Sequence, residues 1–462
     1  MECVFDATCL TSHSRYKPRV GLTLIRKSHD RQRTKRPSKI ALVLAGGAMT
    51  GGAFKMGGLK ALNDFLVGRD IVDFDTYVGL SAGALLSVPL AAGLTPDEML
   101  QVIDGTSTRF DPLDPSLLYR PNVREWVGRP ARLAREFAGW GPGVVADFFR
   151  GVPGLPRTFH HALGELLRSP DYHHVERMAL RLREEVSPRR QFPAVSDAIP
   201  TGLMDNAPLE RWLRNNLERI NVPNEFPGFA MERGNRLYIA ACELDTAERV
   251  VFGVGEHSGV TISEAVQAST ALPVFYKPAR LNGVDYVDGG VRNTANIDIA
   301  IDSGADLVIC YNPFRPIWND PLPSTPDGRR ITDQGLKGVL NQVFRTLLQS
   351  RLRLGLERYR NHESFRGDIV VLEPKEHDLD FFGLNPLAYW KRDEALRHGY
   401  ESVRNTIMQR FDELDEVLES HGLRMSRAVA SRRAAEVVRE RQWQVPANNR
   451  PLRKPYERLE QA

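Results

Sequence analysis

Residues 72–93 read VDFDTYVGLSAGALLSVPLAAG, and a single serine, Ser81, lies between two glycines in the middle of the stretch. The apolar run before it is typical of a buried strand, and the alanine-rich run after it is typical of a buried helix. Strand, serine and helix in this order predict a sharp, strained turn that exposes the serine hydroxyl. Because serine is also a common helix cap, this stretch alone leaves both interpretations open.

A second strand and helix precede the serine. The run IALVLAGG (40–47) predicts a buried strand that stops at glycines, and AFKMGGLKALNDFL (53–66) has the apolar spacing of a helix. Between them, AGGAMTGGA (45–53) is a glycine loop whose backbone N–H groups can bind a phosphate or a developing oxyanion. It lacks the Gly-Lys-Ser/Thr of a Walker A loop and the G-x-G-x-x-G pattern. We therefore expect an α/β sheet covered by helices.

The rest of the chain alternates in character. Residues 105–200 are rich in Arg, Pro and aromatic residues without a strand pattern, and we expect a helical cap insertion there. Strand patterns resume at 236–245, 248–255 and 284–290, and GDIVVLEP (367–374) predicts a further strand. Residues 336–348 have a helical apolar stripe accompanied by basic residues, which faces either the core or a membrane surface; core packing is favoured.

The length of the chain allows one large domain with additions or two domains. The chain has 462 residues, of which 42% are hydrophobic and 26% charged, so most of it is expected to be globular. We assign residues 1–38 to a basic, disordered leader, 39–318 to the main domain, 319–423 to a C-terminal extension packed on it, and 424–462 to a basic tail.

Charge and cysteine usage exclude several classes. The net charge is only +4, with the excess of Lys and Arg at the two ends. Such ends are typical of solvated tails, and they also suit an anionic membrane surface. Zinc spacings and aromatic RNA-binding motifs are absent from the sequence, so nucleic acid is not expected as a partner. No signal peptide or membrane-spanning run is found, which predicts a cytoplasmic protein with buried free thiols at Cys242 and Cys310.

A carboxylate follows another predicted strand. The motif DGG places Asp288 at a strand end before Gly289 and Gly290. An isolated D-G-G is usually a turn, but a partly desolvated aspartate within hydrogen-bond reach can act as base for a serine. The alternative is an α/β-hydrolase triad of Ser81, Asp288 and a later histidine. That alternative is less favoured, because its elbow follows several strands and no histidine has a glycine-flanked strand-end setting.

Three segments together resemble the patatin-like phospholipase family. They are LAGGAMTGGAFKMGGLKAL (44–62), VGLSAGAL (78–85) and YVDGGVRNTANIDIAIDSGAD (286–306), and the resemblance extends over about residues 40–312. It implies a three-layer α/β/α sandwich with a mostly parallel central sheet, here with a helical cap insertion and a helical C-terminal extension. It also implies hydrolysis of phospholipid, lysophospholipid or neutral lipid esters, without a metal or cofactor.

The resemblance assigns roles to individual residues. Ser81 would be the nucleophile, supported by Gly79 and Gly83 of G-x-S-x-G, and Asp288 would be the base. The oxyanion hole would be lined by three residues of the glycine loop: Gly46, Gly47 and Ala48.

The glycine loop departs from the family pattern G-G-G-x-Arg/Lys-G. Ala48 replaces the third glycine, Thr50 replaces the basic residue, and Gly51-Gly52 suggests an extra residue before the helix. A positive φ at Ala48 would be energetically unfavourable, and loss of the cation would weaken oxyanion stabilisation or alter head-group tolerance. Two functions follow: an acyl hydrolase, which is favoured, or a catalytically weak lipid-binding or scaffolding protein on the same fold. The oligomeric state is not indicated.

Overall fold

The computed structural model describes residues 21–28, 37–151, 168, 195–257, 259–319, 330–362, 365–375 and 378–443. The chain divides into two compact units. The larger consists of Met1–Leu118, Asn206–Leu272 and Pro278–Ala462, and the smaller of Tyr119–Asp205 and Pro273–Lys277. No helix in the described ranges combines the length and apolar character needed to cross a bilayer.

The strands follow in chain order. They are β1 Leu22–Ile25, β2 Ile40–Leu44, β3 Leu66–Val67, β4 Thr76–Leu80, β5 Gly202–Met204, β6 Arg236–Glu243, β7 Arg249–Gly253, β8 Val274–Tyr276, β9 Ala279–Leu281, β10 Val284–Asp288, β11 Leu307–Tyr311, β12 Asp368–Leu372 and β13 Arg424–Met425.

The larger unit is built on one sheet of nine strands. Its order is β1-β12-β11-β2-β4-β6-β10-β9, with β7 paired to β6. The five central strands, from β12 to β6, run parallel, and β1, β7, β9 and β10 pair antiparallel at the margins. The prediction of a mostly parallel central sheet is confirmed.

The helices also follow in chain order. They are α1 Ala48–Phe65, α2 Ala82–Ala91, α3 Pro96–Asp104, α4 Pro115–Leu118, α5 Val123–Gly151, α6 Ala207–Arg219, α7 Phe226–Arg233, α8 Ile262–Ser269, α9 Ile297–Asp302, α10 Gly335–Asn361, α11 Leu379–Gly383, α12 Arg392–Gln409, α13 Phe411–Ser420 and α14 Arg427–Trp443.

Side chains of each central strand alternate between two apolar layers. On β2, Ile40, Leu42 and Leu44 belong to one buried cluster, whereas Ala41 and Val43 belong to the other. Successive side chains of a strand point to opposite faces, so a fully apolar strand needs cover on both. Residues of α1, α2, α8 and α12 contribute to the first cluster, and residues of α9 and α10 to the second. This is the predicted three-layer α/β/α arrangement.

Helix α1 begins earlier than its sequence predicts. It starts at Ala48, so Gly51 and Gly52 lie inside the helix rather than in the loop, and the prediction of an extra residue before the helix is wrong. Backbone hydrogen bonds support the early start: the N–H of Gly51 donates to the carbonyl of Gly47 at 3.0 Å, and those of Met49 and Thr50 donate to the carbonyl of Pro386. These bonds offset the low helix propensity of glycine.

The predicted leader, extension and tail are more involved in the fold than expected. Within 1–38, β1 pairs antiparallel with β12, so the interpretation of a leader outside the fold is wrong for residues 22–25. The predicted strand at 367–374 is confirmed as β12, which places part of the extension inside the sheet. Within 424–462, β13 pairs with β3 and α14 follows it, so the tail begins only after folded structure.

Helix α10 is oriented opposite to the prediction in its first half. Arg345 and Gln349 are buried at 7% and 4% exposure, and Arg345 donates to the carbonyl of Pro313 at 3.1 Å. Apolar side chains of the same turns are exposed: Leu336, Val339, Leu340, Val343, Phe344 and Leu347. The prediction that this stripe packs in the core is wrong, because buried polar groups that hydrogen-bond to the loop after β11 occupy the inward positions.

The smaller unit contains α5 and a two-stranded parallel sheet of β5 and β8. The N–H of Asn122 donates to the carbonyl of Leu203 at 3.0 Å, and the carboxylate of Glu125 accepts bonds from the N–H and hydroxyl of Thr201. The predicted cap (105–200) overlaps this unit, and most of residues 152–194 lie outside the described ranges. Its role as a cap stays a prediction.

Candidate active site

Ser81 occupies the turn between β4 and α2. Its backbone angles are φ 54° and ψ −128°, far from the conformations that side-chain-bearing residues prefer. Such strain persists only where the surroundings enforce it, and here the parallel strand must turn at once into a buried helix. The side chain is 6% exposed. The strained turn predicted from the sequence is therefore present, but the predicted exposure of the serine is wrong, because the residue is buried between the sheet and its helices.

Both glycines beside Ser81 are required by space. A Cβ at Gly79 would lie 2.5 Å from the Cα of Ala84 in α2. A Cβ at Gly83 would collide with the Leu44 carbonyl oxygen and lie 2.6 Å from that of Ala45. Real Cβ atoms do not approach other atoms so closely, so the first turn of α2 can lie against the ends of β2 and β4 only with glycine at these positions.

A residue that sequence reasoning missed holds the turn in place. The hydroxyl of Ser269, at the end of α8, accepts a hydrogen bond from the Ser81 N–H at 2.8 Å. The same hydroxyl donates to the carbonyl of Ala240 in β6 at 2.7 Å. Ser269 lies in the segment EAVQASTALPVFYKP (264–278), within the range that resembles the family, but nothing in the pattern of this segment indicates that its serine contacts the turn.

Asp288 lies level with Ser81 on the other side of β6. The register pairs Leu80 with Ala240 and Asp288 with Ala241, so the residue after Leu80 and the end of β10 meet at the same height of the sheet. The Ser81 side chain is near enough to lower the pKa of the Asp288 carboxyl. Two residues more than two hundred positions apart are thus brought together.

The Asp288 carboxyl is buried at 3% exposure and has a perturbed pKa. Burial raises the pKa of Asp288 to about 6, while the hydrogen bonds from the Ser81 side chain and the Gly290 N–H and the charge of Lys55 oppose that rise. The Gly290 N–H donates to Oδ1 at 2.8 Å. A Cβ at Gly289 would lie 2.7 Å from Leu80, so glycine is needed where this turn passes the end of β4. A carboxylate with this pKa is a suitable proton acceptor near neutral pH.

The glycine loop lies beside Ser81. A Cβ added at Gly46 would lie 3.4 Å from the Cβ of Ser81. The first N–H groups of α1 are partly used: those of Met49 and Thr50 donate to the carbonyl of Pro386 at 3.0 and 3.1 Å. Within the part of the chain that the structure describes, the N–H groups of the three predicted oxyanion residues, Gly46, Gly47 and Ala48, have no hydrogen-bond partner.

Ala48 adopts the positive φ that was expected to be unfavourable. Its φ is 51°, and Gly47 before it has φ 156°. A left-handed alanine is less stable than a left-handed glycine by roughly 1 kcal/mol, an amount that tertiary packing can supply. The substitution of alanine for the third glycine therefore leaves the left-handed backbone of the loop in place. Thr50, where the family has a basic residue, is buried at 4% exposure.

Lys55 is a further residue of the site, to which the sequence pattern assigned no role. It is fully buried on α1, and its Nζ donates to the carbonyls of Ala45 and Gly46, the latter at 3.0 Å. Burial lowers the pKa of Lys55 to about 7, although Asp288 and Cys310 act to raise it. The available signal was a single lysine in the otherwise apolar segment AFKMGGL.

The alternative triad finds no support in the histidine contacts. Among the described histidines, the carboxylate contacts are His421 Nε2 with Asp368 at 3.0 Å and His398 Nδ1 with Asp378 at 3.9 Å, and neither involves Asp288. In the same described ranges, no three His, Cys, Asp or Glu side chains are grouped to bind a metal ion.

The arrangement can perform acyl transfer. It combines a hydroxyl at a helix N-terminus, a buried carboxylate with a raised pKa at the same height of the sheet, and adjacent N–H groups that have no partner among the described residues. A nucleophile, a base and donors for developing negative charge are the groups that such chemistry needs.

Comparison with known proteins agrees with the resemblance. Residues 42–301 match the family model described as patatin-like phospholipase. Among solved structures, VipD from Legionella pneumophila is matched at 15% identity and TM-score 0.36, with 87% of this chain and 72% of that chain covered. The type III effector ExoU of Pseudomonas aeruginosa is matched at 15% identity and TM-score 0.33, with 88% and 62% covered.

A human protein is matched at similar distance. Human GIVD cytosolic phospholipase A2 is 12% identical with TM-score 0.32, and the match covers 83% of this chain and 59% of that one. The chain thus spans less than two thirds of the length of the ExoU and human chains.

Proposed function

Because the chain belongs to the patatin-like phospholipase family, we propose that it is a serine acyl hydrolase that releases fatty acid from lipid esters through Ser81 and Asp288. The substrate class is a phospholipid, lysophospholipid or neutral lipid. The observation that carries the proposal is the position of the strained Ser81 at the same height of the sheet as the buried Asp288, whose pKa the Ser81 side chain lowers.

In the first half-reaction, Asp288 accepts the hydroxyl proton while Oγ of Ser81 attacks the ester carbonyl carbon. The carbonyl oxygen becomes an oxyanion and accepts hydrogen bonds from the N–H groups of Gly46, Gly47 and Ala48. Collapse of this intermediate breaks the ester C–O bond, and Asp288 returns the proton to the leaving alcohol. The acyl group is then esterified to Ser81.

In the second half-reaction, water replaces the alcohol. Asp288 accepts a proton from the water, whose oxygen attacks the acyl carbon, and the same N–H groups stabilise the second oxyanion. The C–O bond to Ser81 breaks, the serine regains its proton from Asp288, and the fatty acid leaves. One carboxylate suffices because it alternates between base and acid.

A second candidate function is lipid binding or scaffolding with weak catalysis. The observations that favour it are Ala48 and Thr50 in the glycine loop, where the family pattern has a glycine and a basic residue. The left-handed backbone at Ala48 favours the catalytic function, because the loop keeps the conformation that a glycine would adopt.

A fluorophosphonate probe separates the two candidates. We expect the wild type to be labelled at Ser81 and to hydrolyse a p-nitrophenyl fatty-acid ester. Ser81→Ala should lose both activities, and Asp288→Asn should lose at least about a thousandfold in kcat, as expected for removal of the base of a serine nucleophile.

Matched controls come from the same elements. Ser87→Ala removes a buried serine of α2, and Asp285→Asn removes a carboxylate of β10 that pairs with Arg280. Both should keep activity. Lipid binding without labelling in the wild type would favour the scaffold, and full activity in Asp288→Asn would contradict the dyad.

We also propose a location: the protein is cytosolic and binds anionic membranes through its basic ends. Residues 1–20, 29–36 and 444–462 lie outside the described ranges. The deletion that tests this should spare residues 21–28, since β1 pairs with β12. Removing 1–20 and 444–462 should weaken binding to phosphatidylglycerol vesicles most at low salt, and unchanged binding would contradict it.

A further inference from the structure

A buried lysine without a carboxylate partner needs a physical reason. Moving an ammonium group out of water is unfavourable unless hydrogen bonds or charges compensate. Lys55 is fully buried, and within the described part of the chain no carboxylate lies within 4 Å of its Nζ. Its hydrogen-bond partners are the backbone carbonyls of Ala45 and Gly46.

Those two carbonyls belong to the peptide groups that present the predicted oxyanion donors. In a trans peptide group the C=O of one residue and the N–H of the next point in opposite directions. The carbonyl of Ala45 is therefore opposed by the N–H of Gly46, and the carbonyl of Gly46 by the N–H of Gly47. All peptide bonds of the described chain are trans. The Nζ of Lys55 thus bonds to the carbonyl side of both peptide groups, opposite to their N–H atoms.

We propose that Lys55 is a positioning residue of the oxyanion loop, which fixes and polarises the Gly46 and Gly47 peptide groups so that their N–H atoms stabilise the oxyanion. This inference rests on the proposed acyl hydrolase function. A hydrogen bond to a carbonyl withdraws charge from its peptide group and makes the N–H a stronger donor, and a cation does so more than a neutral donor.

The same residue accounts for the missing cation of the loop. The family pattern has a basic residue where this chain has the buried Thr50. Lys55 lies five residues further along α1 and supplies a positive charge from behind the loop. That charge also acts on Asp288, whose ionised form it favours.

The inference has a pH signature. The titratable groups that act on Lys55 are the Asp288 carboxyl at the end of β10 and the Cys310 thiol on β11, whose own pKa is raised by burial. Because burial lowers the pKa of Lys55 to about 7, the ammonium loses its proton as the pH rises through that value. Turnover should then fall on the alkaline side.

The test compares Lys55→Met with Lys60→Met in the full chain. Lys60 is the other buried lysine of α1, but it pairs with Asp64 and Asp97. With a p-nitrophenyl ester, Lys55→Met should lower kcat roughly tenfold to a hundredfold with little change in KM, and should lose the alkaline fall in activity. Lys60→Met should lose thermal stability and keep kcat. Lys55→Arg, which stays charged, should move the alkaline fall to higher pH.

The outcomes distinguish this inference from the proposed function. A wild type that neither hydrolyses esters nor reacts with a fluorophosphonate defeats the acyl hydrolase itself. An active wild type with equal kcat in Lys55→Met and Lys60→Met overturns the role of Lys55. If Lys55→Met does not fold by circular dichroism, the pH profile of Lys55→Arg decides: an alkaline fall at the wild-type position overturns the inference, and a shifted one supports it.

A second inference comes from the exposed apolar side chains of α10. We name Leu336, Val339, Leu340, Val343, Phe344 and Leu347 the α10 stripe. These residues lie on one face of the helix, and each is between 38% and 74% exposed. The buried side of this helix is polar and includes an arginine, while its apolar side is exposed. A contiguous exposed apolar surface of this kind indicates a site that binds another molecule.

The charge of the helix and its connections indicate a lipid surface as the occupant. Apart from the buried Arg345, α10 has five Lys or Arg residues and one Glu over its length, which suits anionic head groups. Arg345, from the turns that carry the stripe, bonds to Pro313, whose ring would contact a Cβ at Gly47 of the oxyanion loop. Further along, Arg351 donates to the carbonyl of Val291 at 2.7 Å, three residues after Asp288.

We infer that the α10 stripe docks the enzyme on the lipid surface that holds its substrate. The inference rests on the proposed function. Apolar side chains enter the head-group boundary while the flanking arginines remain with the phosphates, as in interfacial amphipathic helices.

The test measures binding in an inactive background. Ser81→Ala protein, with and without Leu340→Glu and Phe344→Glu, is sedimented with vesicles of phosphatidylcholine and phosphatidylglycerol. Each stripe substitution should weaken binding by about tenfold, since an inserted Leu or Phe is replaced by a charge. Met231→Glu, which changes an exposed apolar residue of α7, should leave binding unchanged.

In active protein, Leu340→Glu and Phe344→Glu should slow hydrolysis of vesicle lipid but not of a water-soluble p-nitrophenyl ester. Vesicle binding equal to the parent overturns the inference. A wild-type dimer in size-exclusion chromatography that becomes monomeric in Phe344→Glu overturns it as well, because the stripe is then an interface between copies.

Discussion

The hydroxyl of Ser269 accepts a hydrogen bond from the backbone N–H of Ser81 at 2.8 Å and donates one to the carbonyl of Ala240 at 2.7 Å. It thereby joins α8 to the strained elbow and to the central strand β6. All three groups are buried. The strain at Ser81 is sustained by this bond together with the close packing of Gly79 and Gly83.

Replacement of Ser269 by alanine should destabilise the protein and slow the reaction. It leaves the Ser81 N–H and the Ala240 carbonyl buried without a partner, which is unfavourable by roughly 1–3 kcal/mol for each group. The elbow then relaxes and Ser81 moves from its position opposite Asp288, so kcat should fall about tenfold or more. Urea unfolding and ester hydrolysis measure the two effects.

The matched control is Ser87→Ala on α2. The Ser87 hydroxyl is equally buried, but it donates only to the carbonyl of Ala84 within its own helix at 3.0 Å. Its loss should be unfavourable by about 1 kcal/mol and leave kcat unchanged. A Ser269→Ala variant that behaves like Ser87→Ala would show that the elbow does not depend on Ser269.

Gly83→Ala should prevent folding or destabilise the protein severely. The new methyl group would collide with the carbonyls of Leu44 and Ala45, so α2 would have to move away from the sheet. A forced displacement of this kind exceeds the 1–3 kcal/mol typical of overpacking. Soluble expression and thermal unfolding are the measurements.

Gly128→Ala provides the comparison. Gly128 is an exposed residue of α5, and an added Cβ meets nothing within 4 Å. Alanine there should stabilise the helix by roughly 0.5–1 kcal/mol. If Gly83→Ala were as stable as Gly128→Ala, the close approach of α2 to β2 would be disproved.

Much of the fold could be predicted because buried parallel strands are distinctive. Three predicted strands are apolar segments closely followed by glycines: those that end at Leu44, at Leu80 and at the aspartate of the DGG motif. All three lie where the sequence predicts them. The two main catalytic candidates were found for the same reason. Glycine is required on both sides of Ser81, and this requirement is visible in the sequence as G-x-S-x-G.

Features that depend on distant contacts could not be predicted. The strand β1 lies in a basic segment and is recognisable only through its pairing with β12. Helix α10 has the pattern of a core helix, yet its inward face is set by the bonds of Arg345 to the loop after β11. Lys55 and Ser269 act through backbone groups far along the chain, so their own residue types carry no signal.

Protonation of Asp368 at low pH should destabilise the edge of the sheet that includes β1. Burial would raise its pKa, but hydrogen bonds from His421, Ser28 and the Lys27 N–H outweigh burial and lower it to about 2. An unfolded aspartate ionises near pH 4, so this stabilisation is present above about pH 4 and is lost as the pH falls towards 2.

Asp368→Asn should therefore lower the free energy of unfolding by about 2 kcal/mol at pH 7, and the difference from wild type should shrink towards pH 2. Urea titrations at several pH values measure this. Asp285→Asn, which breaks a largely exposed pair with Arg280, should change stability by less than about 1 kcal/mol. A difference independent of pH would contradict the assignment of the effect to the Asp368 charge.

The acid side of the pH profile should report Asp288. The proposed base must be ionised to accept the Ser81 proton, and burial raises the pKa of Asp288 to about 6. In wild type, the acid limb of kcat/KM should therefore rise about tenfold per pH unit and end near pH 6, below the alkaline fall expected from Lys55.

The charge of Lys55 lowers the pKa of Asp288, so removing that charge should move the acid limb upward. We expect Lys55→Met to need a higher pH for half-maximal kcat/KM than wild type, and Lys60→Met to match wild type. The shift appears as lower activity at pH 6 relative to the variant's own maximum at higher pH, and unfolding at acid pH is checked separately by circular dichroism at pH 6. An acid limb at the same pH in all three proteins would have two explanations: either Asp288 is not the base that titrates, or Asp288 does not interact with Lys55. The variant Asp288→Asn separates them, because it should lack the acid limb if Asp288 is the base.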